Sequence, residues 1–592
     1  MMLLASLLFV ALAGAKCFEP DIAHPPPEYN VRDPLLQEAF ESINTALTAA
    51  VAAPIHARSS FSVEITSSEE TLWSYHNTAR ERNASRPDIP EVNGDALYRI
   101  ASITKTFTVL GILYQHAAGN LSLDATVNTY LKELGQKSDG GIPWKDITLR
   151  SLASQLSGLP RECKLPIDKE HNLFDGCQTE EGAQGDLINQ NYEKLNPSYL
   201  GLPPDVSRKG LPHCDEYSPN FETPCTARDL FKQVNKLAPL FAPNQKSSYS
   251  NLAFELLGLV LSRVSNRTYE AYIDEAIFKP LNMSTSTLSK PADSAGVIPA
   301  GPQFWDVQEG VQNPTGGIYS SSSDLSKYLR YVLTHFNAIT HAINWLHPVS
   351  HSHGSNSFYG MPWEIFTTDR ILPDSNRTVR VVSKSGGLPG YTSIIMSVPE
   401  YDLGITILIA GPNKIFAKIQ SIVLTTMIQV AEKIAIRQLS DRYAGTYSAA
   451  DPKLNSTVRL TADHRGLVVT TWISNGTDVF ESPIVKDGAP EHYYAQLSPT
   501  LLYRDEETQR GEEWRAMFVE ERGGGPPDDF CIDDWDMSSY AGIPLNAVAF
   551  WDEQEDGHFR KLELSAFRVN LTRVDEKGGK NREYDQQEAM EL

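Results

Sequence analysis

A change of rhythm near Ser440 constrains the fold more than any other feature of the chain. Upstream, apolar residues recur at helical spacing in some stretches and alternate in others. From "DRYAGTYSAAD" onward nearly every run alternates: "STVRLTADHRGLVVTTWIS", "HYYAQLSPTLLYR", "WRAMFVEE", "AVAFWDE" and "KLELSAFRVNLTRV". Short period-two runs, separated by Gly, Pro, Asp and Asn, read as the strands of an antiparallel sandwich or barrel. At 592 residues the chain is also longer than one compact core accommodates, so at least two domains are expected.

Upstream, residues 36–53 read as an amphipathic helix, and "SSFSVEIT" with "TLWSYHN" as a pair of strands. "NLAFELLGLVLSRV", residues 251–264, is a second helix. Residues 378–385, 391–398 and 403–410 are rich in β-branched residues and read as consecutive strands of one sheet, followed by a long helix over 413–437. Residues 161–225 form a polar, cysteine-bearing insert without periodicity, expected to be an ordered lid or binding loop. No stretch after the first residues reads as a membrane span.

The chain opens "MMLLASLLFVALAGAKC", an apolar run ending in Ala13-Gly14-Ala15. Residues 1–15 are expected to be a secretory signal peptide, the alternative being an N-terminal anchor. Export agrees with six cysteines, an even number. Short loops favour pairing Cys163 with Cys177 and Cys214 with Cys225, leaving Cys17 with Cys531. Eight Asn-x-Ser/Thr triplets begin at Asn83, Asn120, Asn266, Asn282, Asn376, Asn455, Asn475 and Asn570. Together they favour a secreted, extracellular glycoprotein. A net charge of −22 argues against nucleic acid and anionic membranes as partners.

Three short stretches carry chemistry. "YRIASITKTF" places Ser102 and Lys105 three apart, neighbours on one helix face. A serine is a poor nucleophile near neutral pH, and a nearby amine can take its proton. "KSSYSNLAFELLG" places Tyr249 and Asn251 just before a helix. Tyr249 can act as a base or relay, while Asn251 can hold a substrate carbonyl or orient Lys105. "VVSKSGGLPGYTSIIM" places Lys384, Ser385, Gly386 and Gly387 where a strand is expected to end in a glycine-rich turn. There a cation faces the site and small residues let backbone approach a substrate. His347, His351 and His353 cluster in "HPVSHSHG" without an acidic partner, and read as a surface loop rather than a metal site.

In this order the three stretches resemble the serine β-lactamase and penicillin-binding protein superfamily, and the Tyr-x-Asn element points to its class C β-lactamase, D-peptidase and carboxylesterase branch. "LRSLASQLSGLPRE", "PTGGIYSSSSDLSKYL" and "YGMPWEI" are similar to further segments of that family, so the likeness runs over roughly residues 35–435. It implies an α/β (α+β) catalytic domain over residues 16–437: an antiparallel sheet flanked by helices, beside a helical lobe. "YAGTYS" resembles the start of lipocalin-like domains attached to some relatives. An all-β sandwich or lipocalin-like barrel is therefore expected over 438–574, with a disordered tail over 575–592.

The resemblance also implies roles. Ser102 would form an acyl-enzyme; Lys105 and Tyr249 would share proton transfer; Lys384 would support Tyr249 or meet an anionic group. Asn251, Ser385, Gly386 and Gly387 would bind substrate, with the N–H groups of Ser102 and Gly387 as oxyanion hole. Such a mechanism needs no metal and no organic cofactor. Lys-Ser-Gly stands where many esterase-like relatives carry His-x-Gly, and Gln155 where histidine is common. The expectation is a serine hydrolase acting on an ester, amide or lactam in a small molecule or short peptide. A D-peptidase or acyltransferase is the alternative within the fold, and a catalytically silent binding protein the alternative outside it.

Overall fold

The computed structural model describes residues 22–135, 141–161, 225–235, 237–335, 345–483, 485, 493–520 and 538–574. It divides into two compact units. One comprises Tyr29–Thr368 and Arg380–Met427; the other comprises the described residues of Met1–Glu28, Asp369–Val379 and Ile428–Leu592. The second unit thus begins twelve residues before the change of rhythm at Ser440. It also takes in the segment linking two strands of the first. The cysteine-bearing insert, five of the six cysteines and the expected tail lie outside the described residues. Cys225 is disulfide-bonded.

The larger unit is built on an eight-stranded antiparallel sheet. Its strands are β1 (Ser60–Thr66), β2 (Thr71–Asn77), β3 (Ser350–His351), β4 (Ser357–Tyr359), β5 (Glu364–Thr368), β6 (Val379–Leu388), β7 (Tyr391–Val398) and β8 (Leu403–Ala410). They lie in the order β2-β1-β8-β7-β6-β5-β4-β3. β8, "LGITILIA", is buried at every position because both faces of the sheet are covered. α1 (Pro34–Val51) is capped by Asp33, whose carboxylate accepts from the Leu35 N–H at 3.0 Å. It buries Leu36, Phe40, Ile43 and Leu47 at helical spacing, and its Phe40 stacks on Trp73 of β2.

The helical lobe centres on α2 (Thr104–Ala117) and α3 (Asn251–Ser265). α2 is buried from Thr104 through Leu113, on all sides, since it runs through the core rather than along its surface. Phe107 stacks at 4.2 Å on Tyr328 of α4 (Ser322–His335), which lies against β1 and β8. α3 has a glycine at Gly258 where a Cβ would stand 2.1 Å from Pro314, so its absence lets the Asn313–Gly316 turn pack flush on the helix.

The smaller unit is a closed barrel. Its strands are β9 (Gly445–Ala449), β10 (Thr457–Asp463), β11 (Gly466–Ser474), β12 (Thr477–Asp478), β13 (Tyr493–Asp505), β14 (Arg510–Glu520), β15 (Ala547–Glu553), β16 (Phe559–Leu564) and β17 (Val569–Arg573). The order is β10-β9-β17-β16-β15-β14-β13-β11-β12, and the pairing of β10 with β11 closes all but β12 into a ring. Of the two architectures the alternation allowed, the up-and-down barrel is the one formed. Aromatic side chains fill it: Trp514, Phe550 and Phe559 meet Tyr443 at centroid distances of 4.9, 4.9 and 5.1 Å.

α5 (Phe416–Arg442) joins the two units along the chain. With its preceding turn it makes Asn413–Arg442 a helix long and apolar enough to cross a membrane, contrary to the expectation that no such stretch exists. Half of its most apolar window is buried inside the protein.

Candidate active site

Ser102 lies in the single 3-10 turn Ala101–Ile103 that leads into α2, not within the helix itself. The turn is held from both sides. Before it, Tyr98–Arg99 pairs with Tyr319–Ser320, and buried Arg99 forms an ion pair with buried Glu309 while donating to the carbonyls of Phe304 and Val307. Ile100 accepts from Ser393 Oγ at 2.8 Å. Ala101 then adopts a φ of 48°, a left-handed conformation unfavourable for alanine. That backbone kink is local to the candidate nucleophile, and the packing around it is what holds it.

Lys105, one turn along, is fully buried. Its ammonium donates to Ser102 Oγ at 2.9 Å and to the Thr315 carbonyl at 2.8 Å. The Tyr249 hydroxyl donates to the same Ser102 Oγ at 2.9 Å. Ser102 and Tyr249 are themselves partly exposed. Tyr249 sits just ahead of α3, whose N-cap is Ser250: its Oγ accepts from the Ala253 N–H at 3.1 Å and donates to the Pro160 carbonyl at 2.8 Å. Gln155, also with positive φ, fixes the same segment by accepting from the Ser250 N–H at 2.7 Å. Asn251 is buried as the first residue of α3, and its N–H donates to the Arg161 carbonyl at 2.9 Å.

The third stretch departs from expectation. Lys384 through Gly387 do not end a strand; β6 continues to Leu388, with Lys384 paired to Ile395 and Gly387 to Thr392. The turn comes at Pro389–Gly390. Gly386 serves close approach rather than turning. A Cβ there would stand 2.3 Å from the Ile100 carbonyl and 3.0 Å from the Ser102 nitrogen, so β6 presses against the turn carrying Ser102.

Lys384 reaches the site through Tyr249. Its ammonium lies 5.2 Å from the Tyr249 ring centroid, as does that of Lys105, and the Arg161 guanidinium lies 4.8 Å from it. Three cations thus surround one tyrosine ring.

A residue the motifs did not reveal stands behind Lys384. Glu364, first residue of β5, pairs with Lys384 through Oε1, while its Oε2 accepts from the Ser385 N–H at 2.9 Å and the Ser385 hydroxyl at 2.7 Å. Burial pushes the Glu364 carboxyl up. The Lys384 charge and the hydrogen bonds from Lys384 and Ser385 outweigh it and hold the group below its ordinary value. Burial lowers the Lys384 amine, Glu364 opposes that, and Arg161 adds to the lowering; the net direction is down. The signal in the sequence was faint: an acidic residue inside "YGMPWEI", otherwise a buried apolar segment. Arg161 and the Thr315 carbonyl were likewise missed, although both lie in the quoted segments "LRSLASQLSGLPRE" and "PTGGIYSSSSDLSKYL", because neither is a residue of the three chemistry-bearing stretches. His351 of the histidine cluster packs its ring 4.7 Å from Phe358.

The arrangement suits acyl transfer: a hydroxyl within hydrogen-bond reach of an amine and a phenol, with a glycine strand against its backbone N–H. The Beta-lactamase family model matches residues 49–419, and a model described as "Beta-lactamase-like-like, C-terminal domain" matches residues 435–575. "Probable hydrolase clz13" of Cochliobolus lunatus is 30% identical, the alignment covering 91% of this chain and 89% of that protein. "Probable hydrolase M10" of Phoma sp. is 29% identical over 92% of this chain and 89% of its own. A solved structure, "A class C beta-lactamase", is 16% identical, covers 68% of this chain and 98% of its own, and has a TM-score of 0.46. With its catalytic-type unit followed by an all-β C-terminal domain, the chain belongs to the β-lactamase family of hydrolases.

Proposed function

We propose that the protein is a secreted serine hydrolase that cleaves an ester, amide or lactam through an acyl-enzyme on Ser102. The observation that carries this reading is the convergence of Lys105 Nζ and Tyr249 Oη on Ser102 Oγ, each at 2.9 Å. Ser102 Oγ adds to the carbonyl carbon, and its proton passes to Lys105 Nζ or Tyr249 Oη, whichever has first released its own proton. The N–H groups of Ser102 and Gly387 receive the developing negative charge on the carbonyl oxygen. The tetrahedral intermediate collapses by breaking the bond to the leaving group, which departs with that proton. Water then adds to the acyl-serine by the same route, releasing the acid and restoring Ser102. Asn251 orients substrate and Lys105, and Lys384 holds positive charge behind Tyr249.

Secretion rests on the N-terminal apolar run and on the acceptor asparagines. All eight are exposed. Esterase-like action on small molecules is the preferred substrate class: the eight Asn-x-Ser/Thr triplets favour a eukaryotic secreted glycoprotein, which has no peptidoglycan to build.

The test is active-site labelling with a fluorophosphonate and, separately, a fluorescent penicillin, the adduct being mapped by peptide mass spectrometry. The expected result is one adduct, on Ser102, absent in Ser102→Ala. Folded protein that takes neither label at Ser102 would sink the reading in favour of a binding protein.

A further inference from the structure

We propose that Glu364 is a built-in anion occupying the place where Lys384 and Ser385 would otherwise receive a negatively charged substrate, so that the site selects neutral acyl substrates. This rests on the acyl-serine reading and names the substrate class for it.

Lys384 and Ser385 are the polar donors next in line to the Ser102 turn, for Gly386, the following residue, is the one pressed on the Ser102 nitrogen. Their donors are already engaged. The Lys384 ammonium pairs with Glu364 and donates to the Ser385 carbonyl at 2.9 Å, and both the N–H and the hydroxyl of Ser385 go to Glu364 Oε2. What remains of the ammonium faces the Tyr249 ring.

Glu364 is not a mobile surface acid. Its carbonyl accepts from Ser383 Oγ at 2.8 Å, and its backbone pairs with Tyr359, so main chain and side chain are both tied down. Lys384 is buried. Admitting a second carboxylate would set two like charges on one buried ammonium. Their mutual repulsion is screened less inside the protein than in water. The alternative, displacing Glu364, would break its pairing with the buried Lys384 ammonium and both of its hydrogen bonds from Ser385. A neutral ester or amide meets neither obstacle. Exclusion of a competitor by an internal charge is a common source of specificity.

Arg161 is the rival cation, with its guanidinium over Tyr249. An anion captured there would make the site prefer charged substrates despite Glu364, and the test allows for this. p-Nitrophenyl adipate is offered with its second carboxyl either free or methylated. The wild type is expected to favour the methyl ester by about tenfold or more in kcat/KM, chiefly through KM. In Glu364→Gln the ratio of methyl ester to free acid should fall about tenfold, whatever happens to the absolute rates.

A wild type that turns over the free acid as well as the methyl ester, or better, overturns the proposal. So does a folded Glu364→Gln with the wild-type ratio. Should Glu364→Gln fail to fold, the wild-type pair decides alone. Ser102→Ala separates the two levels of inference. If it loses both activities while the wild type shows no preference, the anion proposal alone has failed. If it keeps them, the acyl-serine reading has failed and takes the proposal with it.

Discussion

The two units treat polar groups in opposite ways. The sheet-and-helix unit buries Lys105 and Lys384 beside a serine and a tyrosine, and sets Arg99 against Glu309 behind them. Burying charge is costly, and such pairs contribute little net stability. The barrel fills its interior with Trp472, Trp514, Phe550 and Tyr447, and gains from apolar burial and ring contacts. Outside the barrel strands, the same unit joins buried Glu432 to Arg377 at 2.6 Å and to His24 at 3.1 Å, linking three distant stretches of sequence. One unit holds charge around a serine and a tyrosine; the other uses charge sparingly, as a clasp.

Substituting a buried group in each unit should separate these uses. The largest effect is expected from Lys105→Met, which keeps the volume and removes the amine. Hydrolysis of an activated ester should fall about a hundredfold to ten-thousandfold, while circular dichroism melting stays within a few degrees of the wild type. A rate near that of the wild type would remove Lys105 from the chemistry.

Next, Trp514→Ala should destabilise the barrel by about 3–5 kcal/mol, read by denaturant unfolding. A cost below about 1 kcal/mol would mean that the aromatic cluster around Tyr443 is not what holds the barrel.

The smallest effect concerns the clasp. Burial pushes the Glu432 carboxyl up, but the His24 hydrogen bond and the Arg377 charge outweigh it and bring it to about 2, against an ordinary 4.5. A depressed carboxyl contributes stability that is fully present above its unfolded value and lost as pH falls through the folded one. The loss is therefore expected between about pH 4.5 and pH 2, and should amount to roughly 1–3 kcal/mol. Glu432→Gln should be less stable at pH 7 and should show a flatter acid limb. An unchanged acid limb would show that Glu432 is not the titrating group.

Sequence alone determined the elements and brought forward the residues that converge on Ser102. The period-two runs after Ser440 required an all-β domain, because alternation places side chains on two faces of a strand whatever its partners. The strands within 378–410 and the helix starting near 413 were equally legible, since their patterns are local. Ser102, Lys105, Tyr249 and Lys384 were found because each sits in a short motif, and the spacing of Ser102 and Lys105 fixes their proximity.

Tertiary structure decided what depends on partners distant in sequence. Barrel rather than sandwich was settled by the pairing of β10 with β11, which closes the ring and which no single strand encodes. Gly386 looked like turn chemistry. It proved to be a close contact because the carbonyl that excludes a side chain there belongs to Ile100, nearly three hundred residues away. Glu364 lies in "YGMPWEI", which marks no chemistry by itself, and an acid in a strand usually faces water. Only the pairing of β5 with β6 brings it to Lys384 and Ser385 and turns an isolated charge into part of the site.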